Sequence, residues 1–179
     1  MIRKLILILL SFVFTVFFIS WFVGTEKTIY YWDYSEYQDL SSYFIRTLHD
    51  DPLSAIRYIG DSVSNDTYNV LPVLPAVLMQ LILGISRLNF ILSIGLFLAI
   101  PAITLIALVW NRFLRRSSIK RTFIATAFLI LLPYFWVPLL QGLPDIAGLI
   151  IIPVVLWLYF IKYPDNKSLS VKILLILLI

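Results

Sequence analysis

Apolar runs of close to bilayer length follow one another along most of this chain, parted by short polar stretches. A run of roughly 17 to 25 apolar residues crosses a hydrocarbon core of about 30 Å. With 61% hydrophobic and 13% charged residues among 179, the chain carries more apolar side chain than one soluble core can bury. The solvent this pattern calls for is lipid. The expected fold is all-α, a polytopic transmembrane helical bundle forming a single domain, with amphipathic juxtamembrane helices in a long first outer loop.

The first apolar run covers residues 5–24, behind Arg3 and Lys4. It is longer than a signal-peptide core and has no small-residue cleavage site, so an uncleaved anchor with a cytoplasmic N-terminus is expected. Residues 25–68 then form an outer loop. Its eight acids, Glu26, Asp33, Glu36, Asp39, Asp50, Asp51, Asp61 and Asp66, face only Lys27, Arg46 and Arg57. Cytoplasmic loops are instead rich in lysine and arginine.

Further apolar stretches cover residues 70–86, 90–110, 122–140 and 146–161, with another starting at 169 and running to 179. If 70–86 crossed the bilayer, the loop holding Arg112, Arg115, Arg116, Lys120 and Arg121 would fall outside, against the positive-inside rule. Residues 70–86, short and interrupted by Pro72 and Pro75, are therefore expected to be re-entrant or interfacial. The basic loop is then cytoplasmic, as are Lys162 and Lys167, and Asp145 returns to the side of the acidic loop. The chain is expected in the plasma membrane, with the lipid bilayer as its first partner and no nucleic acid, because its basic residues flank apolar spans.

Local signals in the outer loop indicate surface helices. Tyr37, Leu40, Phe44 and Leu48 recur at helical spacing with polar residues between them. A second helix is marked by Asp51 as N-cap, Pro52 at the first helical position and Gly60 as terminator.

Chemistry-bearing residues concentrate in YYWDYSEYQDL, residues 30–40. Asp33 and Glu36 share a helix face at i, i+3, and paired carboxylates at a low-dielectric boundary suit general-base work. The same spacing is also that of a capping box. Asp145 is an isolated acid between two spans, a costly position that marks either a functional group or the N-cap of the helix after it. Asp66, Tyr68 and Asn69 stand where the 70–86 segment begins and can line a cavity or simply turn the chain. Arg46, Arg57 and Arg87 are the outer-side arginines, able to bind a lipid phosphate, to pair with an acid or to reach headgroups. Cysteine is absent and His49 is the single histidine, so thiolate and His-rich metal sites are excluded. Nothing in the residues calls for a cofactor.

The order of these features resembles the C-type glycosyltransferases, multi-span enzymes that use polyprenyl- or dolichyl-phosphate sugars, among them the protein O-mannosyltransferases and the aminoarabinose transferases. An anchor, an early acid in the outer loop (YYWDYSEYQDL) and a proline-bearing segment ending in glycine (LPVLPAVLMQLILGIS) come first. A basic cytoplasmic loop and a proline-rich span leading to a PD pair (LLPYFWVPLLQGLPDIAGL) follow, as in that family's N-terminal half. The resemblance implies transfer of a sugar from a polyprenyl-phosphate donor to an acceptor at the outer face. It implies Asp33 as general base with Glu36 nearby, an arginine (Arg46, Arg57 or Arg87) on the departing phosphate, and Asp145 shaping the cavity with Asp66, Tyr68 and Asn69.

Members of that family are longer, and this chain stops within the apolar run KILLILLI, so it is expected to be part of a larger enzyme. The alternative from another class is a non-catalytic multi-span protein, such as a transporter half or an assembly subunit. Spans nearly free of charge and acids gathered in one outer loop weigh against a permeation path.

Overall fold

The computed structural model describes residues 2–27, 33–65, 69–113, 119–130 and 132–144, with 148, 152, 154 and 155. Asp66, Tyr68, Arg115 and Asp145, the 169–179 stretch and most of the 146–161 stretch lie outside the described residues. Among the described residues every regular element is helical.

The first apolar run forms α1 (Ile2–Thr25), 24 residues long. At 1.5 Å per residue that is about 36 Å. The Thr25 hydroxyl donates back to the carbonyls of Trp21 and Phe22, closing the last turn. The two helices expected in the outer loop follow as α2 (Asp33–Asp50) and α3 (Pro52–Asn65). Asp51 caps α3 as its sequence position requires: Oδ1 accepts from the amides of Leu53 and Ser54, and the Ser54 hydroxyl donates to Oδ2 at 2.6 Å. The expected stop at Gly60 is not used. A helix-interior glycine costs only about 1 kcal/mol, and running on to Asn65 buries Ser62 completely.

Residues 70–86 form a 3₁₀ turn (Leu71–Val73) and a short helix α4 (Leu74–Leu83). The ten residues of α4 rise about 15 Å, half a bilayer core. Gly84 ends α4 at φ +90°, a conformation closed to most side chains. The next helix starts two residues later. Ser86 caps it by accepting from the Asn89 amide at 3.1 Å, while the Asn89 side-chain amide donates to the carbonyls of Leu83 and Gly84. One asparagine thus satisfies the end of one helix while the serine satisfies the start of the next.

That next helix is continuous through α5 (Arg87–Ser93), a π segment (Ile94–Ala99) and α6 (Ile100–Phe113). Its stretch Arg87–Val109, 23 residues containing an 18-residue window of mean hydropathy 2.6, is the one described helix long and apolar enough to cross a membrane, where the sequence places a span over 90–110. The apolar helical stretches Leu9–Thr25 and Leu71–Leu83 are shorter. The expected single span over 122–140 is built as two helices, α7 (Ile119–Ile130) and α8 (Pro133–Gln141). Pro133 explains the break, since the residue before a proline is pushed out of helical geometry and Leu132 is extended.

The core forms around the long helix. Phe90, Ile91, Ile94 and Ile103 are buried in one cluster with Ile19 of α1, Leu139 of α8, Val73 of the 3₁₀ turn and Val77 of α4. In the π segment, a Cβ on Gly95 would collide with the Ile19 side chain and come within 3.1 Å of Thr15 Cγ2. Glycine is what lets α1 approach so closely. Trp136 of α8 completes the α1 contact edge-on to Phe18, ring centroids 4.9 Å apart.

Candidate functional site

Three helix ends meet at Arg87. Its Nε donates to Oε1 of Glu26, one residue beyond α1, and its Nη2 donates to the Leu140 carbonyl in the last turn of α8 at 3.0 Å. A second, longer contact joins Nη2 to Glu26 Oε2 at 3.4 Å. The pair is mostly withdrawn from solvent, the two side chains being 21% and 9% exposed. The chemistry of each end explains the meeting. The last carbonyls of α8 lack helical partners: Gly142, left-handed at φ +95°, and Leu143 turn their amides back onto Leu139 and Pro138, and Arg87 takes Leu140. The guanidinium also balances the negative end of the α8 dipole and the Glu26 carboxylate at the negative end of α1.

A second polar contact lies beside this junction. Gln80, in the middle of α4 and 1% exposed, accepts from the Ser41 hydroxyl of α2 at 2.6 Å and donates to the Ser86 carbonyl at 3.2 Å. Both buried polar groups are thereby satisfied, and α2 is tied to the turn that starts the Arg87 helix. The helical face expected on α2 is the packed one: Phe44 is buried, Tyr37, Leu40 and Leu48 pack half-buried around it, and Ser41 lies completely buried among them.

The sequence candidates are distributed as follows. The backbone of Asp33 opens α2, Glu36 is exposed one turn later, and Arg46 is exposed farther along the same helix. Arg57 is exposed on α3. Asn69 is half-buried, its Oδ1 accepting from the Leu71 amide at 3.2 Å, which starts the 3₁₀ turn. Asp66, Tyr68 and Asp145 are not among the described residues. Of the arginines, Arg87 is the one the fold draws into a junction of several elements. Sequence reasoning missed its partners Glu26 and Leu140 and the role of Gln80. Gln80 carried a signal nonetheless, as the one strongly polar residue in LPAVLMQLILG. Asp51 is the one described group with a resolved shift in acidity. Its carboxyl is held below the ordinary 3.8, first by the Ser54 hydroxyl and then by the Ser54 amide; loss of hydration opposes this, and the Leu53 amide adds the least.

Compared with protein-family models, curated proteins and solved structures, the chain matches none.

Proposed function

We propose that this chain belongs to a polytopic membrane glycosyltransferase, which transfers a sugar from a polyprenyl-phosphate donor to an acceptor at the outer face. The observation that carries the reading is the tie from Ser41 through Gln80 to Ser86. It holds the acid-bearing α2 beside the turn from which the long apolar helix starts with Arg87. The membrane part of the reading is supported by the outer surface of the helices. Leu9, Phe17, Trp21, Ile82, Phe97 and Phe128 are all exposed, Ile82 by 82%, a degree of apolar exposure that water does not favour.

In the proposed reaction the acceptor hydroxyl oxygen attacks the anomeric carbon and the bond from that carbon to the phosphate oxygen breaks. The hydroxyl proton passes to the Asp33 carboxylate, and polyprenyl phosphate leaves with the bonding electrons. Arg46, Arg57 or Arg87 would stabilise the charge that grows on the phosphate, and Asp145, Asp66, Tyr68 and Asn69 would shape the cavity. No cofactor enters this scheme.

The test is a transfer assay on purified protein with a polyprenyl-phosphate sugar. Loss of a positioned general base typically costs on the order of 10²–10⁴ in rate. Asp33→Asn is expected to lose that much while inserting normally, since asparagine is as good an N-cap as aspartate, and Glu36→Gln is expected to be milder. Near-wild-type turnover in Asp33→Asn would reduce that residue to a structural cap. A second reading, a non-catalytic multi-span protein, is favoured by one observation: the Arg87 guanidinium is already held by Glu26 and the Leu140 carbonyl, as a structural clamp would be. Absence of any transfer by the wild type would favour it.

A further inference from the structure

Helix α3 has two apolar faces, and the fold uses one. Ala55 is fully buried against α2, with Tyr58 and Ile59 packed half-buried beside it, and the Tyr58 ring meets Tyr43 edge-on at 5.5 Å. The other face is open. Leu53, Ile56 and Val63 are 58%, 62% and 51% exposed. Gly60 stands among them, with nothing within 4 Å of where its Cβ would be. At about 100° per residue these four positions fall within an arc of roughly 80°. Arg57 borders that arc.

We infer that this stripe seats α3 on the outer surface of the bilayer, at the boundary between headgroups and acyl chains. The inference rests on the membrane reading above and adds the contact face, which is on α3 and not on α2, whose apolar side is taken by the protein core. Three observations select lipid as the occupant. First, an open apolar row follows close by: the Ser62 hydroxyl, on the packed face of α3, accepts from the Val70 amide at 3.3 Å and brings the end of α3 near Leu71. Leu71 is 47% exposed, and Leu78 and Ile82 continue the same helical face toward the turn before Arg87. Second, three half-exposed aliphatic side chains fall far short of the roughly 800 Å² per partner that a stable dimer buries. Third, Arg57 at the rim has a long apolar stem that can lie along such a stripe while its guanidinium meets a phosphate, the usual arrangement of a helix lying in an interface.

The absence of native cysteine makes the test direct. Single variants Ile56→Cys and Val63→Cys, labelled with an environment-sensitive fluorophore, are reconstituted in phosphatidylcholine vesicles containing lipid with a nitroxide at a shallow acyl position. Phe97→Cys on the long apolar helix serves as the membrane control, and Asp61→Cys as the control on the polar arc of α3. All four positions are exposed, so labelling leaves the packing intact. Strong loss of emission at 56, 63 and 97 with little at 61 is the expected result. Quenching at 97 without quenching at 56 and 63 would overturn the docking of α3 and leave the membrane reading standing. No quenching at any site would overturn both. Self-quenching at 56 that disappears on dilution with unlabelled protein, without quenching by lipid, would assign the stripe to a second copy and overturn the inference.

Discussion

Two buried or capping side chains give the sharpest expectations for single residues. Thr15 is completely buried in α1 against the π segment, and its hydroxyl meets no hydrogen-bond partner among the described residues. A buried unpaired hydroxyl costs about 1 kcal/mol or more. Thr15→Val, which keeps the branched shape and removes the oxygen, is therefore expected to stabilise the protein by about 1 kcal/mol, read as a higher melting temperature in detergent. Asp51 behaves in the opposite way. Its carboxyl lies below the ordinary 3.8 because its charged form is hydrogen-bonded to Ser54 and Leu53, so its contribution is present above that value. It is lost as pH falls through the lowered folded value. Thermal melts as a function of pH should show Asp51→Ala less stable than wild type at neutral pH, the gap closing at acid pH. Asp51→Asn should keep the cap and show no such acid-side loss at this position.

Between elements, the deciding contact is the clamp of Arg87 on Glu26 and Leu140. It joins the end of α1, the start of α5 and the end of α8, so breaking it loosens three packing relations. Removing one partner of a largely buried pair strands the other charge, typically at about 3 kcal/mol or more. Glu26→Ala and Arg87→Ala are each expected to lose about that much, and the double variant clearly less than the sum, as a double-mutant cycle in detergent would measure. Arg87→Lys keeps the charge but not the planar fork that reaches both the carboxylate and the carbonyl, so it should fall between wild type and Arg87→Ala. Additive losses in the cycle would mean that the two residues act independently. The same scale shows why α3 runs past Gly60. The local stop signal is weaker than the burial of Ser62 and the bond from the Val70 amide that the extra turn makes possible.

For the whole molecule, the proposed membrane topology turns on which end faces which side. Arg87 starts the long helix, and Lys120 and Arg121 lie past its far end on α7. An impermeant thiol reagent applied to intact cells should label Glu36→Cys, and should label Lys120→Cys only after permeabilisation. Labelling of both from outside would end the topology in which the basic loop is cytoplasmic, and with it the outer-face chemistry proposed for Asp33. The short helix α4 is relevant to the same question. Its length of about half a bilayer core suits a segment that enters without crossing.

The start of α3 was legible in Asp51 and Pro52, signals that act within about four residues, the reach of a helical hydrogen bond, whereas the stop expected at Gly60 is not used. Ser86 with Asn89, Gly84, Gly142 and Pro133, the first residue of α8, act over the same short range, but the sequence reading passed over them and expected one unbroken span over 122–140. The apolar run at 90–110 also placed the long helix, because bilayer length is a property of a contiguous run, while among the described residues the other expected spans give no second helix of that length and apolarity. What the tertiary structure decided is which apolar face meets protein and which is left open. The spacing of Tyr37, Leu40, Phe44 and Leu48 showed that α2 is amphipathic, but packing against α4 turned that face inward and left the outward stripe to α3. Glu26 and Arg87, 61 residues apart, and Ser41 and Gln80, 39 apart, became partners in the same way. Periodicity fixes a face within one helix. Which surface that face meets depends on shape fit and on satisfying buried polar groups between segments far apart in the chain, and no local pattern carries that information.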